Sequence, residues 1–288
     1  MVLQMPEERG AWPILLVPFF CAAAVAGRWN MPLLLSGVFT LSLFLLRGSL
    51  EGQRGSARWR ALVAPSHVLL LVISAGAGAW LIFFHRRGQL LWFAAVAAVL
   101  FFIQRRLVQA HRQQRTEKRS LAAELAGVGL LTLTAPVAWV AARGSLFDPP
   151  PTTGGGVAPG VEIWLLNLLF FLGSILYVKY RVRGVLVHRS FRDVGERLAF
   201  AWPVILYHFL LVASLAGWVV LGSPSTVSQP WTLRSAALGL AFAPGVLRAN
   251  RLLFELGRRF AIPRLGWSEI VHAAFFGTFL ILAFRLAG

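Results

Sequence analysis

The sequence predicts an all-α fold, a polytopic bundle of about nine transmembrane helices. Of its 288 residues, 57% are hydrophobic and 14% are charged, whereas soluble domains average about 25% charged residues. The mean hydropathy of this chain is +0.69. Long apolar runs recur along the chain, each close to the length of about 20 residues that crosses a bilayer. These features exclude a soluble enzyme, a disordered chain and a disulfide scaffold. They also exclude a transmembrane β-barrel, whose strands are about ten residues long and alternate in polarity.

The first four apolar runs cover 11–26, 31–46, 61–84 and 90–103. The fourth is short on apolar residues alone, so we expect it to continue as a helix into the cytosol. Its polybasic extension, Gln104 to Arg119, should attract anionic headgroups.

The other five runs cover 121–142, 161–178, 198–221, 231–247 and 270–286. Before the seventh run, apolar residues recur at helical spacing over 187–198 with arginines off that stripe, which predicts a short amphipathic helix on the inner leaflet. Nine spans use about 180 residues and leave about 11 for each tail or connection. The sequence therefore predicts one integral membrane domain, 1–288, with no soluble domain.

Basic residues predict the orientation. With a cytosolic N-terminus, the inner segments hold 22 Lys and Arg residues, and the outer segments hold Arg28, Arg86, Arg87, Arg143, Arg234 and Arg285. The positive-inside rule then predicts a cytosolic N-terminus and, with nine spans, a C-terminus outside. The net charge of +17 reflects this asymmetry and does not indicate nucleic-acid binding. The expected partners are membrane lipids, through their anionic headgroups at the cytosolic face.

Ionisable residues inside a span are costly and are functional candidates by default. The candidate ligand-binding residues all lie within a span or at its inner end: Glu124, Lys179, His208, Arg248, Glu269 and His272. The hypothesis is that the two acids and two histidines of this set face one interior cavity, with the lysine and the arginine as their basic partners. In the structural alternatives, Lys179 and Arg248 snorkel to headgroups, Glu269 caps a helix N-terminus, and His208 is a hydrogen-bonded core histidine.

Glu269 and His272 are three residues apart and share a helix face. Glu-x-x-His ligates metal in helical bundles as two copies with further carboxylates, whereas this chain has one copy. No metal site is therefore predicted. No phosphate loop, Gly-x-Ser-x-Gly, His-Glu-x-x-His or Cys-x-x-Cys motif occurs, so we expect no cofactor and assign no catalytic residue.

Several short motifs are spread over nearly the whole chain. They are Pro6-Glu7-Glu8-Arg9-Gly10-Ala11-Trp12, Glu124-Leu125-Ala126-Gly127 with Pro136, Phe170-Phe171-Leu172-Gly173-Ser174 running into Tyr177-Val178-Lys179, His208, and Leu265-Gly266 with Glu269. Together they resemble the YwiC-like bacterial membrane proteins, which usually have a histidine at the position of Arg9. The resemblance implies a multi-pass protein of the bacterial cytoplasmic membrane and implies no established substrate or catalytic residue.

The nine-span plan is also similar to that of the UbiA-type intramembrane prenyltransferases. That resemblance implies magnesium and a diphosphate held by aspartate-rich inner loops. This chain has two aspartates, Asp148 and Asp193, and the inner loops of matching order hold Glu51, and Asp193 with Glu196. These three carboxylates are too few for the usual site.

Three classes of function follow from the sequence. The first is a bundle that binds a lipid-like or anionic amphiphilic ligand from the cytosolic side, with or without chemistry on it. The second is a proton-linked transporter of a small solute. The third is an assembly partner of another membrane complex, and prenyl transfer is a further alternative. The inner Arg and Lys collar over an apolar interior favours the first, and the sparse polar residues toward the outer face disfavour transport.

The basic-residue split predicts the side on which the C-terminus lies. A topology reporter fused after Gly288 should be active only outside the cytosol, because nine spans separate it from a cytosolic N-terminus. Activity of a cytosolic reporter at the same position would mean that the span count is off by one.

Overall fold

The computed structural model describes residues 10–51, 64–113, 121–148, 158–186, 191, 193–222, 230–256 and 262–286. These residues form ten α-helices and no strand, which confirms the all-α prediction. The helices are α1 (Ala11–Ala26), α2 (Met31–Glu51), α3 (Pro65–Phe83), α4 (Leu90–Gln113), α5 (Leu121–Thr132), α6 (Thr134–Arg143), α7 (Pro159–Leu186), α8 (Val194–Gly222), α9 (Pro230–Glu255) and α10 (Ile262–Arg285).

Seven segments of the described chain are long and apolar enough to cross a membrane. They are Met31–Gly48, Pro65–Phe83, Leu90–Ala110, Leu121–Arg143, Pro159–Val185, Val194–Trp218 and Arg264–Arg285. Helix α1 is apolar but only 16 residues long, and α9 is not among the seven. The chain is therefore a multi-pass helical membrane protein. The total of nine spans and the side that each end faces stay predictions.

Several helices are longer than their predicted apolar runs, among them α7, α9 and α10. Helix α7 ends at Leu186 and α9 at Glu255, and α10 begins at Ile262, each about eight residues beyond the predicted boundary. An apolar run ends at the first charged residue, but Arg, Lys and Glu are good helix formers, so the backbone hydrogen bonds continue through them. These extra turns hold the charged residues of the helix ends.

The predicted fifth span, 121–142, is broken into α5 and α6 at Leu133. Pro136 lies three residues into α6 and has no N–H to donate to the carbonyl one turn earlier. The Thr134 hydroxyl lies 2.9 Å from the Leu15 carbonyl of α1 and 3.0 Å from the Leu131 carbonyl of α5. This hydroxyl links α6 to α1 beside the break.

The sequence predicts a separate surface helix over 187–198, and this prediction is wrong for residues 194–198. These residues form the first turns of α8, because Asp193 Oδ1 accepts the Glu196 backbone N–H at 2.7 Å and caps the helix N-terminus. Residues 187–190 lie outside the described part of the chain.

The chain divides into two compact units. Unit 1 comprises Met1–Val99, Leu131–Pro150 and Gly156–Trp164, and unit 2 comprises Leu100–Leu130, Pro151–Gly155 and Leu165–Gly288. Helices α4, α5 and α7 contribute residues to both units. The prediction of a single membrane domain stays a prediction.

The centre of unit 1 is α6, which packs against α1 and α2, while α2 also packs against α3. Trp139 and the small residues Ala135, Ala138 and Ala141 of α6 are fully buried. Small side chains let neighbouring helix backbones approach closely, as is common in membrane bundles.

In unit 2, α9 packs against both α8 and α10. A buried cluster joins the end of α7, the start of α8 and the end of α9: Leu176, Tyr177, Ala201, Val204, Ala249, Leu252 and Leu256. This packing holds the charged ends of these helices at fixed positions.

Much apolar surface faces outward, as a lipid-facing helix requires. Within Leu90–Ala110 of α4 no residue is buried, although the mean hydropathy there is 1.7. Large apolar side chains such as Phe83 and Trp92 are more than three-quarters exposed. Exposed apolar patches of this extent are unfavourable in water and mark contact with lipid or protein.

Packing around α6 predicts a defined effect of one glycine substitution. A Cβ at Gly160 would lie 2.7 Å from Trp139 Cδ1 and 3.0 Å from Leu146 Cδ1. Gly160→Ala should therefore destabilise the chain by about 1–3 kcal/mol through overpacking, measured by unfolding in detergent. The control is Gly76→Ala in α3, where a Cβ meets nothing within 4 Å. The control should be neutral or slightly stabilising, because Ala is the better helix former.

Candidate functional site

An ion pair between α9 and α10 forms the centre of the candidate site in unit 2. Arg248 Nη1–H donates to Glu269 Oε1, and the two side chains are 11% and 12% exposed. The Ser174 hydroxyl of α7 donates to the other carboxylate oxygen. Both oxygens of Glu269 are therefore bound, and three helices are joined through one carboxylate.

The Arg248 guanidinium makes a further contact on its face. Its carbon lies 4.8 Å from the Tyr177 ring centroid, a favourable cation–π distance. Its Nε is buried and has no hydrogen-bond partner among the described residues. Arg248 thus holds Glu269 with one nitrogen and keeps a second buried donor.

A cavity lies directly beside this ion pair. Its lining residues are Leu169, Phe170, Gly173, Ser174, His208, Leu211, Phe242, Gly245 and Arg248. The empty space is about 250 Å³ including the part open to the surroundings, and the enclosed part has room for about one water. The cavity has a polar end and apolar walls.

His208 of α8 contributes to the polar end. It is 6% exposed, and its Nδ1–H donates to the Val204 carbonyl at 2.8 Å. Its Nε2 lies between two glycines, because a Cβ at Gly173 would be 3.3 Å away and one at Gly245 4.0 Å away. The two glycines leave room for the imidazole ring, and the neutral ring keeps an acceptor at Nε2.

Glu124 and Lys179 form a separate ion pair between α5 and α7. The Lys179 Nζ to Glu124 Oε2 distance is 2.8 Å, and the side chains are 22% and 26% exposed. Neither residue lines the cavity. His272 does not line it either, and its Nδ1–H donates to the Ser268 carbonyl of its own helix. The shared cavity predicted for the two acids and two histidines is therefore not the one that His208 lines.

Two structural alternatives are also corrected. Glu269 is not an N-cap, because α10 begins seven residues earlier at Ile262. Arg248 does not snorkel to the surface, because its side chain is only 11% exposed and is ion-paired. The pairing of each candidate acid with a basic residue agrees with the predicted partners.

Sequence reasoning missed Ser174 and Tyr177 as site residues. Phe170, Ser174 and Tyr177 follow one another at intervals of three or four residues, so they share one face of α7. That spacing was a usable signal, but none of these side chains is charged and so none was selected. Their role depends on α9, which lies far away in the sequence.

More basic residues lie at the same helix ends of unit 2. Arg181 pairs with Glu255, with its Nη2 3.4 Å from Oε2, and Arg197 Nη1–H donates to the Leu253 carbonyl at 3.3 Å. Three others are exposed in the structure: Arg183, Arg251 and Arg264. The described end of this unit therefore has both paired buried charges and exposed positive charges.

The fold and the site define a multi-pass helical membrane protein with buried, internally paired charges. The family described as YwiC-like protein matches residues 5–139. The chain is also 28% identical over 285 residues to the Bacillus subtilis (strain 168) protein described as "Uncharacterized protein YwiC", and the alignment covers 94% of each chain. The resemblance to the YwiC-like family is thereby confirmed. No solved structure matches the chain.

The two ion pairs should differ in their contribution to stability. Glu269→Ala should destabilise the chain by about 3–5 kcal/mol, because it leaves Arg248 as a buried charge without its carboxylate. Glu124→Ala should have a smaller effect of about 1 kcal/mol, since that pair is a quarter exposed. Unfolding of both variants in detergent measures the difference. Glu124→Gln and Glu269→Gln are the isosteric controls, and an equal loss from both alanine variants would contradict the ranking.

Proposed function

We propose that the chain binds an anionic, lipid-like amphiphile in the cavity of unit 2. The observation that supports this proposal is the division of the cavity lining. Ser174, His208 and Arg248 form a polar end, and the other wall is apolar: Leu169, Phe170, Leu211 and Phe242. An amphiphile has the same division, with a charged head and a hydrocarbon tail.

Arg248 is the anchor of the proposed head. Its Nε is a buried donor without a partner in the described chain, and hydrogen bonds from a guanidinium to an oxyanion are short and strong. Glu269 holds the other side of the guanidinium through Nη1 and so fixes its orientation. The carboxylate also reduces the net positive charge, which favours exchange of the ligand over permanent capture.

The size of the cavity sets how much of an amphiphile it takes. The enclosed part of the cavity has room for about one water. We therefore expect it to take one oxyanion oxygen of the head beside Arg248, while the rest of the head and the tail lie along the surface of the helices.

Exposed basic residues support an approach from the predicted cytosolic side. Arg183, Arg251 and Arg264 are exposed at the helix ends of unit 2, and each basic residue near an anionic membrane surface attracts it by about 1 kcal/mol. Trp267 is also strongly exposed there, and tryptophan rings favour the headgroup level. In this proposal the protein lies in the bacterial cytoplasmic membrane with these residues on the cytosolic face.

The alternative functions have less support. A solute path needs polar groups on both sides of His208, whereas the cavity wall beyond it is formed by residues such as Leu211 and Phe242. A prenyltransferase site would use Asp193, but this carboxylate accepts the Glu196 backbone N–H as the cap of α8. A purely structural assembly partner would bind no amphiphile in the cavity.

The proposal predicts a specific loss of binding for one arginine. In neutral maltoside detergent, native mass spectrometry should detect dodecyl phosphate bound to the full chain and little 1-dodecanol. Arg248→Lys keeps the positive charge opposite Glu269 but removes the Nε donor. It should raise the apparent Kd for dodecyl phosphate about tenfold, as expected for the loss of one charged hydrogen bond.

Arg251→Lys is the matched control, because it makes the same change three residues further along α9 at an exposed site. Its Kd should stay within about twofold of the unsubstituted chain, since a surface charge is retained. Equal losses in the two variants would mean that binding is a general surface attraction. Equal binding of dodecyl phosphate and 1-dodecanol by the unsubstituted chain would overturn the proposal.

A further inference from the structure

Three turns converge at one end of unit 1. The turn between α1 and α2 is tied to α6, because Asn30 Nδ2–H donates to the Ala142 carbonyl at 2.9 Å. The turn between α3 and α4 is tied to the segment after α6, because the Leu146 backbone N–H donates to Gln89 Oε1 at 3.0 Å. Each of the three segments carries an arginine at this end: Arg28, Arg87 and Arg143.

Arg143 is the most buried of the three arginines. Its residue is 8% exposed, and its guanidinium carbon lies 5.7 Å from the Trp139 ring centroid. Its Nε and Nη2 are buried and have no hydrogen-bond partner among the described residues. A buried charge without hydrogen bonds is strongly unfavourable, so these donors call for an acceptor from outside the described chain.

Arg87 lies against the backbone that follows Arg143. A Cβ at Gly144 would clash with Arg87 Nη1, and Gly144 has a φ of 105°, a conformation that favours glycine. The neighbouring Arg86 has a φ of 53°, which is uncommon for a residue with a side chain. This turn holds the Arg87 guanidinium next to the end of α6, and its Nε is also buried without a partner among the described residues.

One carboxylate, Asp148, lies near Arg87 and Arg143 and offsets part of the positive charge of this group. Burial lowers the pKa of Arg87, the nearby Asp148 raises it, and the Arg28 charge lowers it. Arg28 and Asp148 are also the charges that act on Arg143. In the described part of the chain, no carboxylate oxygen lies within 4.0 Å of a nitrogen of any of the three. The next segment of the sequence, 149–157, has no charged residue.

We propose that this end of unit 1 is a second anion site, which binds a phosphate group between Arg28, Arg87 and Arg143. Guanidinium groups match the geometry of phosphate oxygens and bind them through paired hydrogen bonds. Arg143 and Arg87 supply the buried donors, and the exposed Arg28 adds charge at the entrance. The phosphate belongs either to a lipid headgroup or to a free phosphate ion. By the sequence-predicted orientation, this site lies on the outer face, and it does not depend on the cavity of unit 2.

Two measurements on the full chain in neutral maltoside detergent separate the two sources. The first is the Tm in sodium phosphate against sodium chloride at equal ionic strength. The second is native mass spectrometry with phosphatidic acid against diacylglycerol, carried out in the Arg248→Lys background so that binding in the cavity of unit 2 is weakened. A rise in Tm with phosphate indicates a free-ion site, and selective retention of phosphatidic acid indicates a headgroup site. No response in either measurement would overturn the proposal.

Substitutions connect the response to the three arginines. Arg143→Met should abolish it and leave the Tm without ligand unchanged or higher, because an uncompensated buried charge is removed. Arg143→Lys keeps the positive charge but lacks the paired donors of a guanidinium. It should raise the ligand concentration that gives half of the response about tenfold. If Arg143→Met lowers the Tm and the response to phosphate or phosphatidic acid stays intact, Arg143 only supports the fold. That outcome would overturn the proposal.

Arg285→Met is the control for charge. It removes one positive charge, as Arg143→Met does, but at an exposed residue of unit 2. It should keep the full response, and a loss equal to that of Arg143→Met would contradict a localised site. Arg248→Lys should also keep the response, so that failure of the amphiphile proposal for unit 2 and failure of this one are distinguished.

Discussion

The ion pair between Arg248 and Glu269 is the interaction on which the arrangement of unit 2 depends. A charge inside a membrane protein is tolerated when it is paired and hydrogen-bonded within the bundle. Glu269 meets this condition by accepting from Arg248 on one oxygen and from Ser174 on the other. Because these residues come from α7, α9 and α10, the same contacts fix the relative positions of three helices and of the cavity that Arg248 and Ser174 line.

The pairing is incomplete in a way that matters for function. Glu269 uses one nitrogen of Arg248, whereas the buried Nε remains a donor. A fully satisfied pair would be a structural feature alone. In the proposed function, this buried donor next to an apolar-walled cavity holds the anionic head, and the ion pair keeps its own geometry.

The two units handle buried positive charge differently. In unit 2, Lys179, Arg181 and Arg248 each have a carboxylate partner. In unit 1, Arg143 is buried and has donors without acceptors in the described chain. The family match covers 5–139, so it includes most of α6 but ends before Arg143 and before every residue that lines the cavity. The relation to the Bacillus subtilis protein extends over nearly the whole chain.

The sequence by itself determined the fold class, the approximate positions of the helices, and the charged residues that need partners. These follow from local rules, because apolar length sets the spans and charges inside them are costly. It did not determine where helices end, since charged residues such as those at the end of α9 continue the backbone hydrogen bonds beyond the apolar run. It also did not predict the break at Leu133, although Pro136 is a local signal for an interruption of the helix.

The tertiary structure alone decided which polar groups meet. The sequence correctly named Lys179 and Arg248 as the basic partners of the two acids. It grouped Glu124, His208, Glu269 and His272 around one cavity because all four would be costly if they faced lipid, but that cost does not specify the direction in which a side chain leaves its helix. That direction depends on helix rotation, which is fixed by packing between distant segments. Ser174, which joins Glu269 to the cavity, carries no charge and becomes visible as a site residue only once α7, α9 and α10 are packed together.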